Sequence, residues 1–280
     1  MRLSDLHHVF TAHRPRARAL DAISMVRRAQ CILFTSFYEL ESQIIDTLKE
    51  ELHCPVYPIG PSIPHMMLEE KLSSSPNGSN IDYIGWLNSQ PKRSVLYVSL
   101  GSFLSVSGSQ MDEIAMGLGL SGVRFLWVAR GDSSRLQEMV GSMGIVVPWC
   151  DQLKVLSHPS VGGFLTHCGW NSTMEGVFCG VPMLTCPIFW DQPPDSRLIV
   201  DEWKVGLSLR GEVGREGVVG QEEIALVVKR LMDLDGTEGK EMRKRVGELR
   251  DSARQAIAAG GSSSENLDSF ARGLMQGNVR

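Results

Sequence analysis

The polar residues best suited to chemistry lie in one segment, from Trp149 to Gln192. The segment mixes glycine, proline and tryptophan with uncharged polar side chains, where an ordinary core element alternates apolar with solvated positions. At its centre, THCGWNST (166–173) follows an apolar run and precedes a helical pattern. Backbone N–H groups converge where a strand passes into a helix, and the helix dipole favours an anion there. The pattern predicts a phosphate cradle without a lysine.

Individual side chains around this cradle suit the parts of a nucleoside diphosphate sugar. His167 can donate a ring N–H to a phosphate oxygen, and Asn171, Ser172 and Thr173 are residue types that cap helices. Glu175 lies one helical turn after Asn171 and can accept hydrogen bonds from both hydroxyls of a ribose. Each residue also has a structural role open to it, as a hydrogen-bonding histidine, a helix cap or a solvated carboxylate.

Residues at the two ends of the segment offer further contacts. Trp149 follows a predicted strand and could stack on a flat base, although packing is its alternative role. Asp191 and Gln192 could bind several sugar hydroxyls, or Asp191 could cap a helix whose first turn holds Pro193 and Pro194. A second strand-to-helix junction, SLGS at 99–102, offers another place for an anion.

The composition limits the classes of protein to consider. The 280 residues carry a net charge of −4, which gives no general attraction to nucleic acid or anionic membrane. No apolar run approaches the roughly 20 residues of a membrane span. Six cysteines without a CxxC pair favour a reduced, cytoplasmic chain. We predict neither a P-loop nor a dinucleotide-binding glycine loop, which argues against kinases, GTPases and a Rossmann oxidoreductase.

Apolar runs alternate with helical patterns through the middle of the chain. This alternation predicts a parallel sheet with right-handed crossovers, and therefore a Rossmann-like α/β fold. A helix is predicted after the strand SVLYVSL, with Ser109 and Asp112 as its N-cap and capping-box partner. The predicted strands are 31–36, 94–100, 125–130, 144–147, 162–166 and 181–185, and the predicted later helices are 221–232, 240–258 and 264–275.

The order and spacing of the central residues resemble the signature box of the plant secondary-product UDP-glycosyltransferases, in glycosyltransferase family 1. The box includes THCGWNS (166–172), GVPM (180–183) and DQ (191–192), and the similarity extends over SVLYVSLGS and FLWVAR. This resemblance implies a GT-B architecture and a UDP-sugar donor site. The implied donor-binding residues are Ser102, Trp149, Gln152, His167, Trp170, Asn171, Ser172, Glu175, Asp191 and Gln192.

The same resemblance implies a role for each of these residues. The base of the nucleotide would stack on Trp149, with Gln152 near the nucleoside and Glu175 on the ribose. The diphosphate would contact Ser102, His167, Asn171 and Ser172, and the sugar pocket would contain Trp170, Asp191 and Gln192. The glutamine at 192 is associated with glucose donors. No metal and no cofactor besides the UDP-sugar co-substrate is implied.

The implied reaction is transfer of glucose to a hydroxyl of a small lipophilic acceptor, with inversion at the sugar carbon. We expect residues 1–80 to be a remnant of an acceptor domain with its linker, 81–258 to bind the donor, and 259–280 to be a helix packing back on the first domain. The family's histidine–aspartate catalytic pair has no match here, since His7, His8 and His13 follow no strand. The alternative is therefore a truncated, catalytically impaired UDP-sugar binding module.

Overall fold

A computed structural model describes residues 20–21, 24–26, 28–64, 81–101, 106–210 and 217–276. Those between 81 and 247 form one compact unit, and those between 20 and 64 form a second unit together with 248–276. The domain boundaries that we expect after residues 80 and 258 stay predictions. Ser102, the histidines at 7, 8 and 13, and residues 65–80 at the end of the predicted first domain and linker lie outside the described residues.

The second unit opens with two short strands joined by a helix. They are β1 (Ile32–Phe34), α1 (Tyr38–Glu51) and β2 (Val56–Pro58). The strands pair in parallel, and β2 begins the proline-rich stretch VYPIGPSIP (56–64). Pro58 stands at the last position of β2, where a missing N–H donor is tolerated.

The larger unit contains a six-stranded sheet and its flanking helices. Its strands are β3 (Val95–Ser99), β4 (Arg124–Val128), β5 (Gly144–Val147), β6 (Val161–Thr166), β7 (Met183–Thr185) and β8 (Gly206–Ser208). Its helices are α2 (Tyr83–Asn88), α3 (Gly108–Ser121), α4 (Ser133–Val140), α5 (Gln152–Leu156), α6 (Trp170–Cys179), α7 (Gln192–Arg197) and α8 (Gln221–Met232). A π-helical turn, Leu198–Glu202, continues α7.

All six strands run parallel, in the order β5-β4-β3-β6-β7-β8. The chain therefore winds outward in one direction from β3 and in the other direction from β6. Ligands of such sheets bind beyond the carboxyl ends of the strands at this point of reversal. Ser99 and Thr166 are register partners at the ends of β3 and β6. Residues just after these two positions are thus the best placed to meet a ligand.

The core explains why the strands read as continuous apolar runs. Val95, Leu96, Tyr97 and Val98 are all at most 1% exposed, as expected for a strand covered on both faces. Helices α3 and α8 pack closely, because a side chain at Gly117 would lie only 2.6 Å from a methyl carbon of Ile224. No helix in the described part of the chain is long and apolar enough to cross a membrane.

The N-terminus of α3 differs from the prediction. The N-cap is Ser107, whose hydroxyl accepts from the Gln110 N–H at 3.2 Å, so Ser109 and Asp112 lie inside the helix. The spacing Ser107-x-x-Gln110 is itself a capping-box pattern, which explains the earlier start. The Gln110 carboxamide instead bonds the backbone N–H and carbonyl of Val219.

One glycine pattern was missed in the sequence. Residues 117–122, GLGLSG, have the spacing G-x-G-x-x-G, although no dinucleotide-binding loop is predicted. The pattern lies at the carboxyl end of α3, where Gly122 forms the left-handed C-cap with φ 66°. A dinucleotide loop must instead open a helix after a strand. The spacing is therefore coincidental and closes a helix.

Two further helices follow, α9 (Thr237–Ile257) and α10 (Ser262–Met275). Within the second unit, α10 packs on β2. Ser263 Oγ donates to the Gly60 carbonyl at 2.5 Å, and Asn266 Nδ2 donates to the Pro58 carbonyl at 3.0 Å. The rings of Tyr57 and Phe270 lie 5.8 Å apart. These contacts attach the last described helix to the second unit.

Candidate functional site

A cavity of about 500 Å³ lies at the carboxyl ends of the strands of the larger unit, where the order of the strands reverses. Its volume is in the range of small-molecule sites. Most of the predicted site residues line it, namely Trp149, Gln152, His167, Trp170, Asn171, Ser172 and Asp191. Glu175 and Gln192 are not part of the lining but lie directly beside it.

Trp149 follows β5 and forms an open wall of this cavity. Its side chain is 43% exposed, unlike the buried Trp127 of the core. An exposed indole beside a cavity offers a flat surface on which a base can stack. Trp170 also lines the cavity, and its ring contacts Trp203 at a centroid distance of 6.3 Å.

Gln152 connects three polar side chains at the cavity wall. Its Nε2 donates to Glu175 Oε2 at 2.7 Å and to Ser172 Oγ at 3.0 Å. Its Oε1 accepts from the Tyr97 hydroxyl at 3.2 Å. Asp151 caps the helix that carries Gln152, by accepting from the Lys154 N–H. The carboxamide therefore has partners for its acceptor and for both of its donors.

Glu175 does not line the cavity itself, but it accepts a hydrogen bond from Gln152, which does. Burial raises the pKa of this carboxyl group, the hydrogen bond from Gln152 lowers it, and the charge of Asp151 raises it further. The net effect is a raised pKa. A half-buried carboxylate held by one carboxamide suits the acceptance of hydroxyl hydrogens, which is the role that we predict for it on a ribose.

His167 packs between two glycines at the switch point. A side-chain carbon at Gly101 would lie 2.8 Å from His167 Nε2, and one at Gly169 would lie 2.7 Å from it. Burial lowers the pKa of His167, although the Asp191 carboxylate and the backbone of Ser99 oppose this shift. A neutral ring can donate through one nitrogen only, so His167 suits a hydrogen bond to an anion more than a charge pair with it.

Helix α6 begins at the same place but differs from the sequence prediction. Its N-cap is Gly169, and no side chain caps it. Asn171, Ser172 and Thr173 lie inside the first turn, so they are wrong as capping residues. A glycine N-cap leaves the cavity side of the helix start clear of a side chain. Asn171 and Ser172 line the cavity from this turn.

The loop after β7 positions Asp191 and Gln192. Asp191 is exposed and stands at the N-cap of α7, but its side chain makes no capping bond. Gln192 Oε1 accepts from the N–H groups of Ile188 and Phe189, at 2.8 and 2.9 Å. The oxygen is thus used to hold the loop, which leaves the NH2 group as the part of Gln192 able to bind a sugar hydroxyl.

The sequence interpretation missed several lining residues, which include Tyr97, Val128, Arg130 and Cys150. Arg130 follows β4 by two residues and brings a cation to the cavity. The rule that ligands lie beyond carboxyl strand ends applies to FLWVAR and could have identified it. In the described ranges, no group of three or more His, Cys, Asp or Glu side chains could hold a metal ion. Metal independence stays a prediction.

Comparisons with known proteins agree with this geometry. UDP-glycosyltransferase 87A2 of Arabidopsis thaliana is 49% identical over 280 residues, a match covering 99% of this chain and 61% of that protein. UDP-glycosyltransferase 87A1 of the same plant is 46% identical, covering 98% and 62%. The chain therefore spans less than two thirds of the length of these relatives.

Solved structures of plant enzymes match the fold. Phytolacca americana UGT2, complexed with UDP-2fluoro-glucose and pterostilbene, has a TM-score of 0.79 at 38% identity, over 92% of this chain and 56% of that chain. Medicago truncatula UGT71G1, complexed with UDP-glucose, also has a TM-score of 0.79, at 33% identity over 91% and 56%. These matches confirm the predicted α/β, GT-B-type fold class.

The sequence model described as UDP-glucoronosyl and UDP-glucosyl transferase matches residues 60–220, which is more than half of the chain. This range contains the whole cavity. The chain belongs to the UDP-glucoronosyl and UDP-glucosyl transferase family.

Proposed function

We propose that the cavity binds UDP-glucose and that the protein transfers glucose to a hydroxyl of a small lipophilic acceptor, with inversion and without a metal. The uracil would stack on Trp149 and the ribose would meet Gln152 and Glu175. The diphosphate would lie against His167 and the start of α6, with Ser102 as a further contact. Trp170, Asp191 and Gln192 would surround the sugar.

One observation carries the proposal. A single cavity joins an open indole, a carboxamide bonded to a carboxylate, and a helix start without a side-chain cap. These features suit a base, a pair of vicinal hydroxyls and a diphosphate respectively. Two of the structurally similar plant proteins were solved with UDP-glucose or its fluoro analogue.

The same geometry suggests how the protein would assist transfer. Negative charge grows on the departing UDP as the bond to the sugar breaks. His167 with its neutral ring, the N-terminus of α6 and Arg130 all line the cavity, and we propose that they stabilise this charge. We propose a cytoplasmic location, which the six free cysteines support.

The alternative is a UDP-sugar binding module with little transfer activity. Among the described residues one histidine, His167, lines the cavity, and the role proposed for it is a contact with the diphosphate. A general base contributes roughly 10²–10⁴-fold to such a reaction. A chain that binds the donor without such a base would turn over slowly.

Two measurements test these proposals. Calorimetry of the chain with UDP and with UDP-glucose measures donor binding, and an assay with UDP-glucose and a panel of phenols measures transfer. We expect binding of both nucleotides. Turnover that yields the β-glucoside and persists in EDTA supports the transferase, and binding without turnover supports the binding module. No heat at millimolar UDP would contradict both.

A further inference from the structure

We propose that Tyr97 is a positioning residue that fixes the Gln152 carboxamide, and through it Glu175, so that the site distinguishes a ribose from a 2′-deoxyribose. The proposal rests on the donor-binding function proposed above and deepens it. It assigns nucleoside selectivity to a hydroxyl in the middle of a buried strand.

Tyr97 is held rigidly by the sheet. It is 1% exposed and pairs in register with Phe164 of the neighbouring strand β6. The two rings stack at a centroid distance of 5.1 Å with an interplanar angle of 21°. At the cavity wall its hydroxyl lies 3.4 Å from Cys150 Sγ and 3.2 Å from Gln152 Oε1, and the Ser99 side chain is a further hydrogen-bond partner. A phenol fixed in this way can fix what it bonds.

The hydrogen bonds have one consistent direction. Tyr97 has a single hydroxyl hydrogen, and Gln152 Oε1 can only accept, so that hydrogen points to Gln152. The Cys150 thiol then donates to the hydroxyl oxygen. Burial raises the pKa of Cys150 to about 12, so the thiol keeps the hydrogen that this bond needs. The chain of bonds runs from Cys150 through Tyr97 to Gln152.

This direction determines which face of the carboxamide meets Glu175. With Oε1 bonded to Tyr97, Nε2 faces Glu175 Oε2 at 2.7 Å and Ser172 Oγ at 3.0 Å. A carboxamide turned by half a rotation would place its oxygen against the carboxylate, where two acceptors repel. Rotation about the last side-chain torsion of glutamine is otherwise soft. The Tyr97 hydroxyl and the Glu175 carboxylate restrain it from opposite sides of the carboxamide.

The restraint bears on the nucleoside because Gln152 and Ser172 both line the cavity and Glu175 lies directly behind them. A carboxylate with a fixed orientation accepts hydroxyl hydrogens from a ribose at little reorganisation cost. A 2′-deoxyribose leaves part of this polar cluster without a partner, and such a site rejects the incomplete ligand. Without the hydroxyl of Tyr97, the cluster can rearrange around either sugar.

The test compares UDP with 2′-deoxy-UDP by calorimetry in the wild type and in Tyr97→Phe. We expect the wild type to prefer UDP by roughly tenfold or more, and the variant to lose most of that preference. Tyr83→Phe is the matched control: it removes a buried hydroxyl that accepts from the Asp151 N–H beside the same helix, without touching the carboxamide. Its ratio of affinities should equal that of the wild type.

A second background keeps the proposal falsifiable if Tyr97→Phe folds poorly. Gln152→Met removes the bonds of the carboxamide at similar volume, and it should lower the preference in the same way. Adding Tyr97→Phe to it should change the ratio no further. Equal losses for both ligands in Tyr97→Phe, with the ratio intact, would reduce Tyr97 to a packing residue and overturn the proposal. A wild type that binds UDP without preferring it also overturns it, whereas a wild type that binds no UDP contradicts donor binding itself.

Discussion

The two ends of the cavity are built differently. At the Gln152 end, defined by Tyr97, Gln152, Ser172 and Glu175, side chains bond one another through a buried network. At the Asp191 end, defined by Asp191 and Gln192, the Gln192 side-chain oxygen accepts from two backbone N–H groups. Asp191 is exposed there, and its side chain makes no capping bond.

The difference indicates how each end would recognise its part of a donor. A network whose members already satisfy one another is preorganised, so ligand binding orders little and selectivity is high. At the other end, the exposed Asp191 carboxylate makes no capping bond and is available to a ligand. We therefore expect the nucleoside part to set affinity and the Asp191 end to set the choice of sugar.

The largest expected effect comes from removing the carboxylate of the network. Glu175→Ala should weaken UDP binding by about 1.5–3 kcal/mol, roughly 10- to 150-fold, because a charge-assisted contact is lost and Gln152 loses its partner. Calorimetry with UDP measures this, with Glu138→Ala on an exposed face of α4 as control. An unchanged affinity would refute the assignment of Glu175 to the ribose.

A smaller effect is expected at the junction between the two ends. In Gly169→Ala, the new carbon lies 2.7 Å from His167 Nε2, so the ring must move away from the start of α6. UDP affinity should fall by about tenfold. The control is Gly119→Ala in α3, where no atom lies within 4 Å of the added carbon. Equal affinities of the two variants would show that the position of His167 does not matter to the diphosphate.

At the Asp191 end, Gln192→Ala should cost the fold more than it costs UDP binding. The N–H groups of Ile188 and Phe189 lose their acceptor, which should lower the free energy of unfolding by about 1 kcal/mol. Denaturant titration measures this change in stability. The affinity for UDP should change little, whereas UDP-glucose should no longer bind more tightly than UDP. Gln192→Glu retains an acceptor oxygen and should keep most of the stability; equal losses in both variants would contradict this account.

The smallest effect is a pH dependence that distinguishes the ends. Burial raises the pKa of Glu175, so this carboxylate becomes protonated at a higher pH than an ordinary glutamate does. The protonated form accepts hydrogen bonds less well. UDP-glucose affinity should therefore fall by roughly threefold as the pH falls through the raised pKa of Glu175. Since the folded state holds this proton more tightly than the unfolded chain, the group contributes most stability at low pH and loses it as pH rises through the raised pKa. Protonation of His167 would act oppositely on affinity, at a pH below its usual range because its pKa is lowered.

The comparison variant for this pH profile is Glu175→Gln, which leaves His167 in place. The difference between the two profiles isolates the carboxyl group. Parallel profiles would mean that Glu175 stays ionised throughout or does not touch the ligand.

The sequence predicted most of the fold because its strongest signals are local. The strand Gly144–Val147 and the helix Gln221–Met232 were predicted with the observed bounds. The strand is a short continuous apolar run, and the helix has apolar residues at helical spacing. The strand β8 was missed because three residues are too few to show an alternation of apolar and polar side chains. Gly206–Ser208 is recognisable as a strand only from its pairing with β7. Helix α4 was missed as well, since its apolar face consists of Leu136 and Val140 alone.

Much of the candidate site was predicted for a different reason. Trp149, His167 and Asn171 stand in a specific motif, and the structure places all three on one cavity. Tyr97 could not be found in this way, because it reads as one more apolar position in a buried strand. Its partners Cys150 and Gln152 follow it by 53 and 55 residues, so the contact exists only after the sheet has formed.

Two residues beside the cavity adopt a backbone conformation that favours glycine. Cys168 has φ 68° and Trp190 has φ 62°, directly after β6 and in the loop after β7. Each left-handed non-glycine residue costs of order 1 kcal/mol or more, so this part of the chain lowers the stability of the fold. Glycine would relieve this strain, but it would also remove a fully buried thiol at 168 and an indole that packs on Phe189 at 190, and it would free the turns that shape the cavity. The side chains of Cys168 and Trp190 therefore hold both turns in a conformation that the backbone alone would not favour.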